Sequence, residues 1–479
     1  MKRTRPSWWG NGPHVFYTVV VFVVLASLDN AAIGAIPAMV KPLSSAFDVG
    51  ETPITFLTGA QILVTAVVGV AWGFAGDSRS RKRLLLWGTV IWAGAELAST
   101  TATTFAVFFA WQMVVAVGLG SIASVGFSVV SDLVSPARRG LAMSFWGLSQ
   151  GVGVLIGGLL ASQLGADDWT LPLTVIGVAG FVFAFLYLFT FDPPRGYKEP
   201  ELAAMREAEV EYEHRIDRSQ LPQLLERRSN MWLILQGVTA QIAYGSLIWV
   251  TLLYQEKVIA QGYSESTATK VGGLFAAIFT IGALFSILAG HLGDRLQKRT
   301  LRGRAILSAV GILGAIPFFL VFFWVPLRGL AVTEGGSTMT LLGEVLSSLV
   351  TNPFALVAFV SGVIAIALTS ADSPNWFALI TDVNLPEHRG TIFGLGNLGN
   401  GIGRSIGSAL TGPVAQAIEK SIPAPYNWAL GLTFFQLFFL PTGWCYWKAS
   451  ETCPDDITYV RDTLSERSRS SVAESPSSD

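Results

Sequence analysis

Residues 73–83 read Gly73-Phe-Ala-Gly-Asp-Ser-Arg-Ser-Arg-Lys-Arg83 and join two long apolar segments, 52–75 and 84–101. Each segment is long enough to cross a bilayer as a helix. The glycines allow two helix ends to approach closely. Asp77 and Arg81 stand four residues apart, so one helical turn can pair them, and the basic residues that follow predict a cytoplasmic loop.

A second copy of this pattern, Gly290-His-Leu-Gly-Asp-Arg-Leu-Gln-Lys-Arg299, places Asp294 where Asp77 stands in the first. The repeated Gly-x-x-Gly-Asp with a basic cluster, between two spans, resembles the helix 2–3 and 8–9 loops of the major facilitator superfamily. That resemblance covers residues 15–448. It implies an all-α membrane protein with twelve transmembrane helices in two pseudo-symmetric six-helix bundles.

The composition is that of a membrane protein. Of 479 residues, 51% are hydrophobic and only 14% are charged, against about 25% charged in a typical soluble domain. A net charge of −1 gives no reason to expect nucleic acid as a partner. The two cysteines argue against a disulfide framework and against a metal site. No cofactor is expected. The apolar run from Val15 lacks a small-residue cleavage site, which favours a retained first span over a signal peptide.

The charges predict the orientation of the chain. Of the 32 lysines and arginines, 26 lie in the terminal segments and alternate loops, five lie on the opposite face, and Arg404 lies inside a span. This asymmetry predicts an inner-membrane protein with both termini in the cytoplasm. The predicted spans run near residues 15–40, 52–75, 84–101, 105–134, 141–164, 170–191, 231–258, 268–292, 304–328, 352–383, 391–418 and 424–448.

An internal repeat sets the domain boundaries. Ser131-Asp-Leu-Val-Ser-Pro-Ala-Arg-Arg-Gly140 aligns with Thr381-Asp-Val-Asn-Leu-Pro-Glu-His-Arg-Gly390 at an offset of 250, which also sets Gln150 over Asn400. We expect a six-helix bundle over 1–191, a charged cytoplasmic linker over 192–230, a second bundle over 231–448 and a disordered tail over 449–479. The long loop 329–351 is expected to hold a surface helix near Met339–Val350.

Four ionisable side chains are predicted near the middle of the membrane, where an unpaired charge is costly: Asp29, Glu96, Asp372 and Arg404. The superfamily's helix arrangement implies that Asp29, Asp372 and Arg404 face one cavity between the bundles, with Glu96 behind it. Arg404 shares a helix face with Asn397, Asn400 and Ser408. This polar stripe is either functional, as an anion- or carboxylate-binding site or a proton-coupled switch, or a structural ion pair of Arg404 with Asp372 or Asp29.

Asp29 is the preferred proton carrier, because a carboxyl in apolar surroundings favours its neutral form and a nearby cation favours its ionised form. Its motif, Leu28-Asp-Asn-Ala-Ala-Ile-Gly-Ala-Ile-Pro37, resembles the first helix of the spinster-like branch. Asn30 stands where that branch has Arg. Gln112 and Gly118-Leu-Gly-Ser121 stand where its fourth helix has Arg and a Gly-x-Gly-Glu motif. The missing Arg also argues against a typical drug/proton antiporter of the superfamily.

The remaining candidates are of two kinds. Further proton-coupling groups are Asp372 and Glu96. The weaker substrate-binding candidates share a place in the cavity-lining spans: Asn30, Gln150, Gln241, Tyr244, Trp249, Asn375 and Trp376. Aromatic residues in spans are more often packing or interfacial anchors than ligands. The resemblance implies gating salt bridges between the halves on the cytoplasmic side, with one set of groups, Asp77, Arg81, Asp132 and Arg139, from the first half and a second set, Asp294, Asp382 and Arg389, from the second.

These patterns predict a secondary active transporter that moves a small organic or amphipathic molecule by alternating access, coupled to protons and exporting its substrate. The expected partners are that substrate, protons and the lipid bilayer, and the protein is expected to be a monomer. Alternatives are a lipid or lysolipid transporter or scramblase of the same fold, or a non-transporting membrane receptor. An enzyme is not expected, because no extramembrane segment is long enough for a catalytic domain. A nucleotide-driven pump is disfavoured because no Gly-x-x-x-x-Gly-Lys-Ser/Thr loop occurs.

Overall fold

A computed structural model describes residues 13–126, 129, 136–190 and 227–474, and the described residues form helices joined by short loops. In the first half, a π-helical turn at Ile122–Gly126 extends the fifth helix. The helices of this half are α1 (Pro13–Ala38), α2 (Val40–Phe47), α3 (Glu51–Ser78), α4 (Arg81–Ser99), α5 (Phe105–Ser121), α6 (Pro136–Leu164) and α7 (Thr170–Tyr187).

The second half repeats this pattern with more interruptions. Its helices are α8 (Arg228–Leu247), α9 (Val250–Ile259), α10 (Glu265–Phe279), α11 (Phe285–Arg299), α12 (Gly303–Trp324), α13 (Thr338–Thr351), α14 (Pro353–Thr369), α15 (Asp372–Asp382), α16 (Pro386–Glu419), α17 (Tyr426–Gln436) and α18 (Phe439–Glu474). Three pairs, α8/α9, α14/α15 and α17/α18, each cross the molecule once with a short break. A 3-10 turn at Thr280–Leu284 joins α10 to α11. Broken helices are tolerated in transporters where protein or a cavity surrounds the freed backbone groups.

Among the described residues, nine helical stretches are long and apolar enough to cross a membrane. Helices α4, α6 and α16 occupy the other three predicted spans. Apolar side chains such as Val67, Ile287 and Val310 remain exposed along these helices, as expected for lipid-facing residues. The expectation of an all-α membrane protein is confirmed.

The two ends of the helices are distinguished by their loops. We call the end with loops 79–80, 300–302 and 383–385 the basic end, and the end with loops 48–50, 165–169, 260–264 and 420–425 the distal end. Within the first half α1 packs along α6, and within the second half α8 packs along α16. The halves meet mainly where α3 packs along α16 and α6 along α10. Small residues make the first of these seams close: a Cβ on Gly59 would lie 2.4 Å from the Ala409 Cβ.

Two helices of the second half, α13 and α18, differ in how well the sequence predicts them. The surface helix expected at 339–350 is present as α13. The tail expected to be disordered from 449 instead continues α18 as a helix to Glu474. This extension is held by packing, because Cys453, Ile457 and Val460 are buried and the Ser229 hydroxyl donates to the Thr452 Oγ1 at 2.8 Å. The sequence did not predict this helix, because polar residues in the segment after 449 outnumber the few residues that become buried.

Candidate functional site

Asp29 lies in the middle of α1 and is only 4% exposed. Neither of its carboxylate oxygens has a hydrogen-bond partner among the described residues. The opposite side of α1 packs closely on α6, since a Cβ on Gly153 would lie 2.2 Å from the Ser27 carbonyl oxygen. Asn30 points its amide back to the Ala26 carbonyl oxygen at 2.9 Å. Asp29 is therefore a buried acid without a partner in the described structure, which is unusual for a structural group.

Glu96 belongs to a buried polar network inside the first bundle. The Gln112 amide on α5 donates to the Glu96 Oε2 at 3.2 Å and to the Ser99 hydroxyl at 3.3 Å. The Gln61 amide on α3 donates to the Gln112 Oε1 at 3.1 Å. All four side chains are fully buried. Gln112, the residue at the position of the branch's helix 4 arginine, thus holds a carboxyl on α4 inside the first half.

Asp372 was expected to face the cavity together with Arg404, but in the structure it is bound by side chains of its own half. It is the first residue of α15, where a helix N-terminus favours negative charge. The Gln236 amide on α8 donates to its Oδ1 at 2.9 Å, and the Tyr446 hydroxyl on α18 donates to the same oxygen. The structure therefore places this carboxylate inside the second bundle, where it joins three elements. The sequence could not indicate this, because the donors lie 136 and 74 residues away.

Asn397, Asn400, Arg404 and Ser408 all lie on the continuous helix α16, at the spacing that places them on one face. Ile402, Ile406 and Leu410 are exposed on the opposite face of α16. Asn397 is exposed, and Asn400 and Arg404 are partly buried. The Arg404 side chain makes no hydrogen bond or ion pair with the described residues, so neither the Arg404–Asp372 nor the Arg404–Asp29 pair is formed here. A guanidinium with five free donors is suited to a carboxylate or phosphate ligand.

Several weaker candidates have structural partners. The Trp249 indole donates to the Ser408 carbonyl oxygen at 2.8 Å and the Trp376 indole to the Leu233 carbonyl oxygen at 3.0 Å. Both rings are almost fully buried, so they do not line an open cavity as expected. The Asn375 amide donates to the Ala371 carbonyl oxygen at 2.7 Å.

Three further candidates, Tyr244, Gln241 and Gln150, differ in how far their side chains are exposed. The Tyr244 hydroxyl donates to the Thr369 carbonyl oxygen at 3.2 Å, and its side chain is partly buried. Gln241 is partly buried beside Gly403 of α16. Gln150 on α6 is exposed.

Charged contacts join the halves at the distal end, and the sequence did not single them out. The Lys41 Nζ lies 2.6 Å from the Glu51 Oε1 of its own half and 2.6 Å from the Glu256 Oε1 of the other half. Burial would lower the pKa of Lys41, but the two carboxylates outweigh it and raise that pKa above its ordinary value. Lys41 is therefore a permanently charged bridge between the halves.

A second distal contact joins loop 165–169 to α10. The Lys270 Nζ lies 2.8 Å from the Asp167 Oδ2, and the Ser266 hydroxyl donates to the Asp167 Oδ1 at 3.0 Å. The hydrogen bonds from Lys270 and Ser266 lower the pKa of Asp167. The Gln255 amide adds a bond to the Ala38 carbonyl oxygen at 3.0 Å. These contacts hold the halves together at the distal end.

At the basic end, Arg304 is a functional candidate that sequence reasoning missed. Its guanidinium lies 2.6 Å from the Asp294 Oδ1 and pairs also with the Asp382 Oδ2, so it joins α11, α12 and α15 within one half. Asp294 and Asp382 were expected to pair across the halves. The described partner of both is Arg304, on the helix that follows Asp294 and precedes Asp382 in the same half, and only the basic run 295–304 hinted at it.

The other predicted gating residues are described to different extents. Helix α3 ends at Ser78 and α4 begins at Arg81, so Asp77 and Arg81 do not share one helical turn as expected. Arg81 is buried. Asp77, Arg139 and Arg389 lie on α3, α6 and α16, but their side chains are outside the described set, and Asp132 lies outside the described residues.

The chain is similar to spinster proteins and to related transporters of animals. The chain is 24% identical over 322 residues to Protein spinster of Drosophila melanogaster, covering 66% of this chain and 51% of the relative. It is 26% identical over 293 residues to Protein spinster homolog 3 of Danio rerio, covering 58% and 56%. It is 23% identical over 317 residues to the sphingosine-1-phosphate transporter SPNS2 of Danio rerio, covering 63% and 60%. The aligned region thus spans only somewhat more than half of each relative's length. The resemblance of the chain to the spinster-like branch is confirmed.

Solved structures share the fold. A bacterial homolog of the human lysosomal transporter spinster, in an inward-facing and occupied conformation, matches with a TM-score of 0.70 at 19% identity, covering 93% of this chain and 99% of that one. A D-xylose-proton symporter matches with a TM-score of 0.60 at 16% identity, covering 89% and 97%. The fold expected from the sequence is therefore confirmed. Because the model of the Major Facilitator Superfamily matches residues 19–408, the protein belongs to that family.

Proposed function

We propose that the protein is a proton-coupled secondary transporter that exports an anionic amphipathic molecule by alternating access between its two bundles. The observation that carries this proposal is the buried Asp29 carboxyl, which lacks a hydrogen-bond partner among the described residues. Stability alone does not explain such a group, because an unpartnered acid costs free energy in an apolar helix.

Asp29 supplies the coupling step. In dry surroundings without a partner the carboxyl is most stable when it carries its proton. When the bundles rock and water reaches α1, the ionised form of Asp29 becomes more stable and the proton leaves. Glu96, held by the Gln112 amide, is a second carboxyl of the same bundle and a secondary coupling candidate. Asp372, fixed by Gln236 and Tyr446, has a structural part in this scheme.

Arg404 supplies the substrate contact. Its free guanidinium and the stripe of Asn397 and Asn400 lie on the side of α16 away from the lipid-facing isoleucines. An anionic head group would pair with Arg404, while the apolar walls would take a hydrocarbon chain. The relative named as a sphingosine-1-phosphate transporter supports a phosphate-bearing amphiphile as substrate.

Access alternates about the α3–α16 and α6–α10 seams. The distal contacts of Lys41 and Asp167 hold this state closed at the distal end. With both termini in the cytoplasm of the inner membrane, as the charge asymmetry favours, the state is closed to the outside and takes substrate from the inside. We propose that the monomer performs the whole cycle.

The test uses proteoliposomes loaded with a pH-sensitive dye, with sphingosine 1-phosphate as the probe substrate. We expect proton movement and probe transport to depend on each other in the natural protein, and Asp29→Asn to abolish transport driven by a pH gradient while the protein remains folded. Asp462→Asn, which changes an exposed carboxylate of α18, serves as the matched control.

Three outcomes would contradict the proposal. Undiminished proton coupling in Asp29→Asn removes Asp29 from the mechanism. Probe movement that ignores the gradient and equilibrates lipid between leaflets identifies a scramblase instead. If Arg404→Gln transports the probe as the natural protein does, the anionic head group lies elsewhere.

A further inference from the structure

Helix α13 stands outside the two bundles and presents apolar side chains on two neighbouring faces. On one face Leu341, Val345 and Leu349 are buried against the protein. Helix α13 packs there against α10 and α14. A helix on the surface of a soluble domain would turn only polar residues to its other side.

The adjoining face of α13 is apolar and open. Met339 is 78% exposed, Leu346 47% and Val350 83%, and these residues recur at steps of seven and four, so they form one stripe. The remaining face carries Thr340, Ser347 and Thr351, all exposed. Around the helix there are thus a protein-facing apolar arc, an open apolar arc and a polar arc.

Both ends of α13 are fixed at the distal end of the second bundle. Before the helix, the Glu334 carboxylate accepts a hydrogen bond from the Thr267 hydroxyl of α10 at 2.7 Å. After it, the Asn352 amide donates to the Arg328 carbonyl oxygen at 2.8 Å, and its side-chain oxygen caps α14. The open stripe is therefore held in a defined place beside the first turns of α14.

The side chains around that place have the composition of a boundary between lipid and water. The first turns of α14 expose Leu356, Val357 and Val360, which continue the apolar surface from Val350. At the same end of the molecule, the rings of Trp324 and Tyr426 stack with centroids 6.0 Å apart, and Trp324 is partly exposed. Tryptophan and tyrosine concentrate at the boundary between lipid and water.

We infer that α13 is an interfacial helix that inserts its Met339–Leu346–Val350 stripe into the distal leaflet of the bilayer. Its polar arc then meets head groups and water, and its third face anchors it to α10 and α14. A helix with one charged or polar side and one apolar side lies in this way at the acyl boundary. The insertion ties the second bundle to that leaflet while the first bundle moves against it.

The test is spin-label accessibility in phosphatidylcholine and phosphatidylglycerol vesicles. Leu346→Cys and Val350→Cys report the open stripe, and Ser347→Cys and Thr340→Cys are matched controls from the polar arc of the same helix. The natural cysteines, Cys445 and Cys453, are buried and do not compete for the label. We expect labels on the stripe to collide more with oxygen than with a water-soluble nickel chelate, and labels on the polar arc to show the reverse.

Three results would overturn this inference. Equal preference for the nickel chelate at all four positions places the stripe in water. Dipolar broadening at Leu346→Cys, lost on dilution with unlabelled protein, assigns the stripe to a second copy of the chain. Low accessibility to both reagents without broadening places it against the protein's own surface. None of these measurements depends on transport, so they leave the proposed function untouched.

Discussion

Asp29 and Asp372 show how far single residues can be interpreted from the sequence. Both are carboxylates in apolar helices, and the sequence predicts the same mid-membrane depth for them. The structure leaves Asp29 without a described partner, whereas Asp372 receives hydrogen bonds from Gln236 and Tyr446. The difference lies in side chains from distant segments, which a pattern within one helix does not contain.

Arg304 extends this argument to the basic end. One side chain from the first turn of α12 pairs with Asp294 and Asp382, and it is itself mostly buried. We expect Arg304→Gln to destabilise the second bundle by about 1–2 kcal/mol, because each partly exposed ion pair contributes about 0–1 kcal/mol. Thermal unfolding of the purified protein, followed by fluorescence, measures this as a lower Tm.

Arg299→Gln is the matched control for Arg304, since it removes the same charge from an exposed site on α11. Arg304→Lys should recover part of the loss, because lysine keeps the charge but not the two-pronged geometry. A Tm that falls equally in Arg299→Gln would mean that net charge rather than the bridge matters.

At the scale of the helices, the sequence predicts well which segments are helical, but it predicts less well which helices pack against each other. The apolar spans and the surface helix α13 follow from hydropathy, because lipid selects for composition directly. The helical continuation of α18 to Glu474 did not follow, since its support is a few buried residues, such as Cys453 and Ile457, against a neighbouring helix. The seam between α3 and α16 was also absent from the sequence interpretation, although α16 is rich in glycine.

That seam can be tested through one glycine. A Cβ on Gly401 would lie 2.2 Å from the Ala66 Cβ of α3, so Gly401→Ala forces the helices apart. Overpacking of this kind costs about 1–3 kcal/mol, and every 1.4 kcal/mol changes a population ratio tenfold. We expect a shift towards the distally open state. Disulfide trapping between Thr52→Cys and Gln416→Cys, whose natural side chains are hydrogen-bonded at 2.5 Å, should become slower.

Gly394→Ala provides the comparison on the same helix. Nothing lies within 4 Å of a Cβ at Gly394, so this substitution changes helix propensity without a collision. Unchanged trapping in Gly401→Ala, or an equal change in both variants, would argue that the seam adapts and does not control the closed state.

On the scale of the whole molecule, two kinds of charged contact close the distal end. Lys41 bridges both halves through Glu51 and Glu256, and the raised pKa of Lys41 keeps it charged across the physiological range. Asp167 is more exposed and contacts Lys270 and Ser266 of the other half. We therefore expect the Lys41 bridge and the weaker Asp167 contact to respond differently to acid.

The Asp167 contact predicts an acid-dependent opening with a defined sign. Its hydrogen bonds lower the pKa of Asp167 from the ordinary value of 3.8, so the contact favours closure fully above that value and loses this effect as the pH falls through the lowered pKa. Because the side chain is largely exposed, the contribution is at most about 1 kcal/mol, or about fivefold in the ratio of closed to open molecules.

Distances between spin labels at Ala46→Cys and Lys420→Cys, on opposite halves at the distal end, measure this opening across a pH series. We expect Asp167→Asn to raise the open fraction at neutral pH and to remove the part of the acid response that the natural protein shows below 3.8. Asp168→Asn changes the neighbouring carboxylate, which among the described residues accepts hydrogen bonds only from Thr170 of its own half. If Asp168→Asn alters the response as much as Asp167→Asn does, the acid sensitivity belongs to the loop 165–169 and not to the contact between the halves.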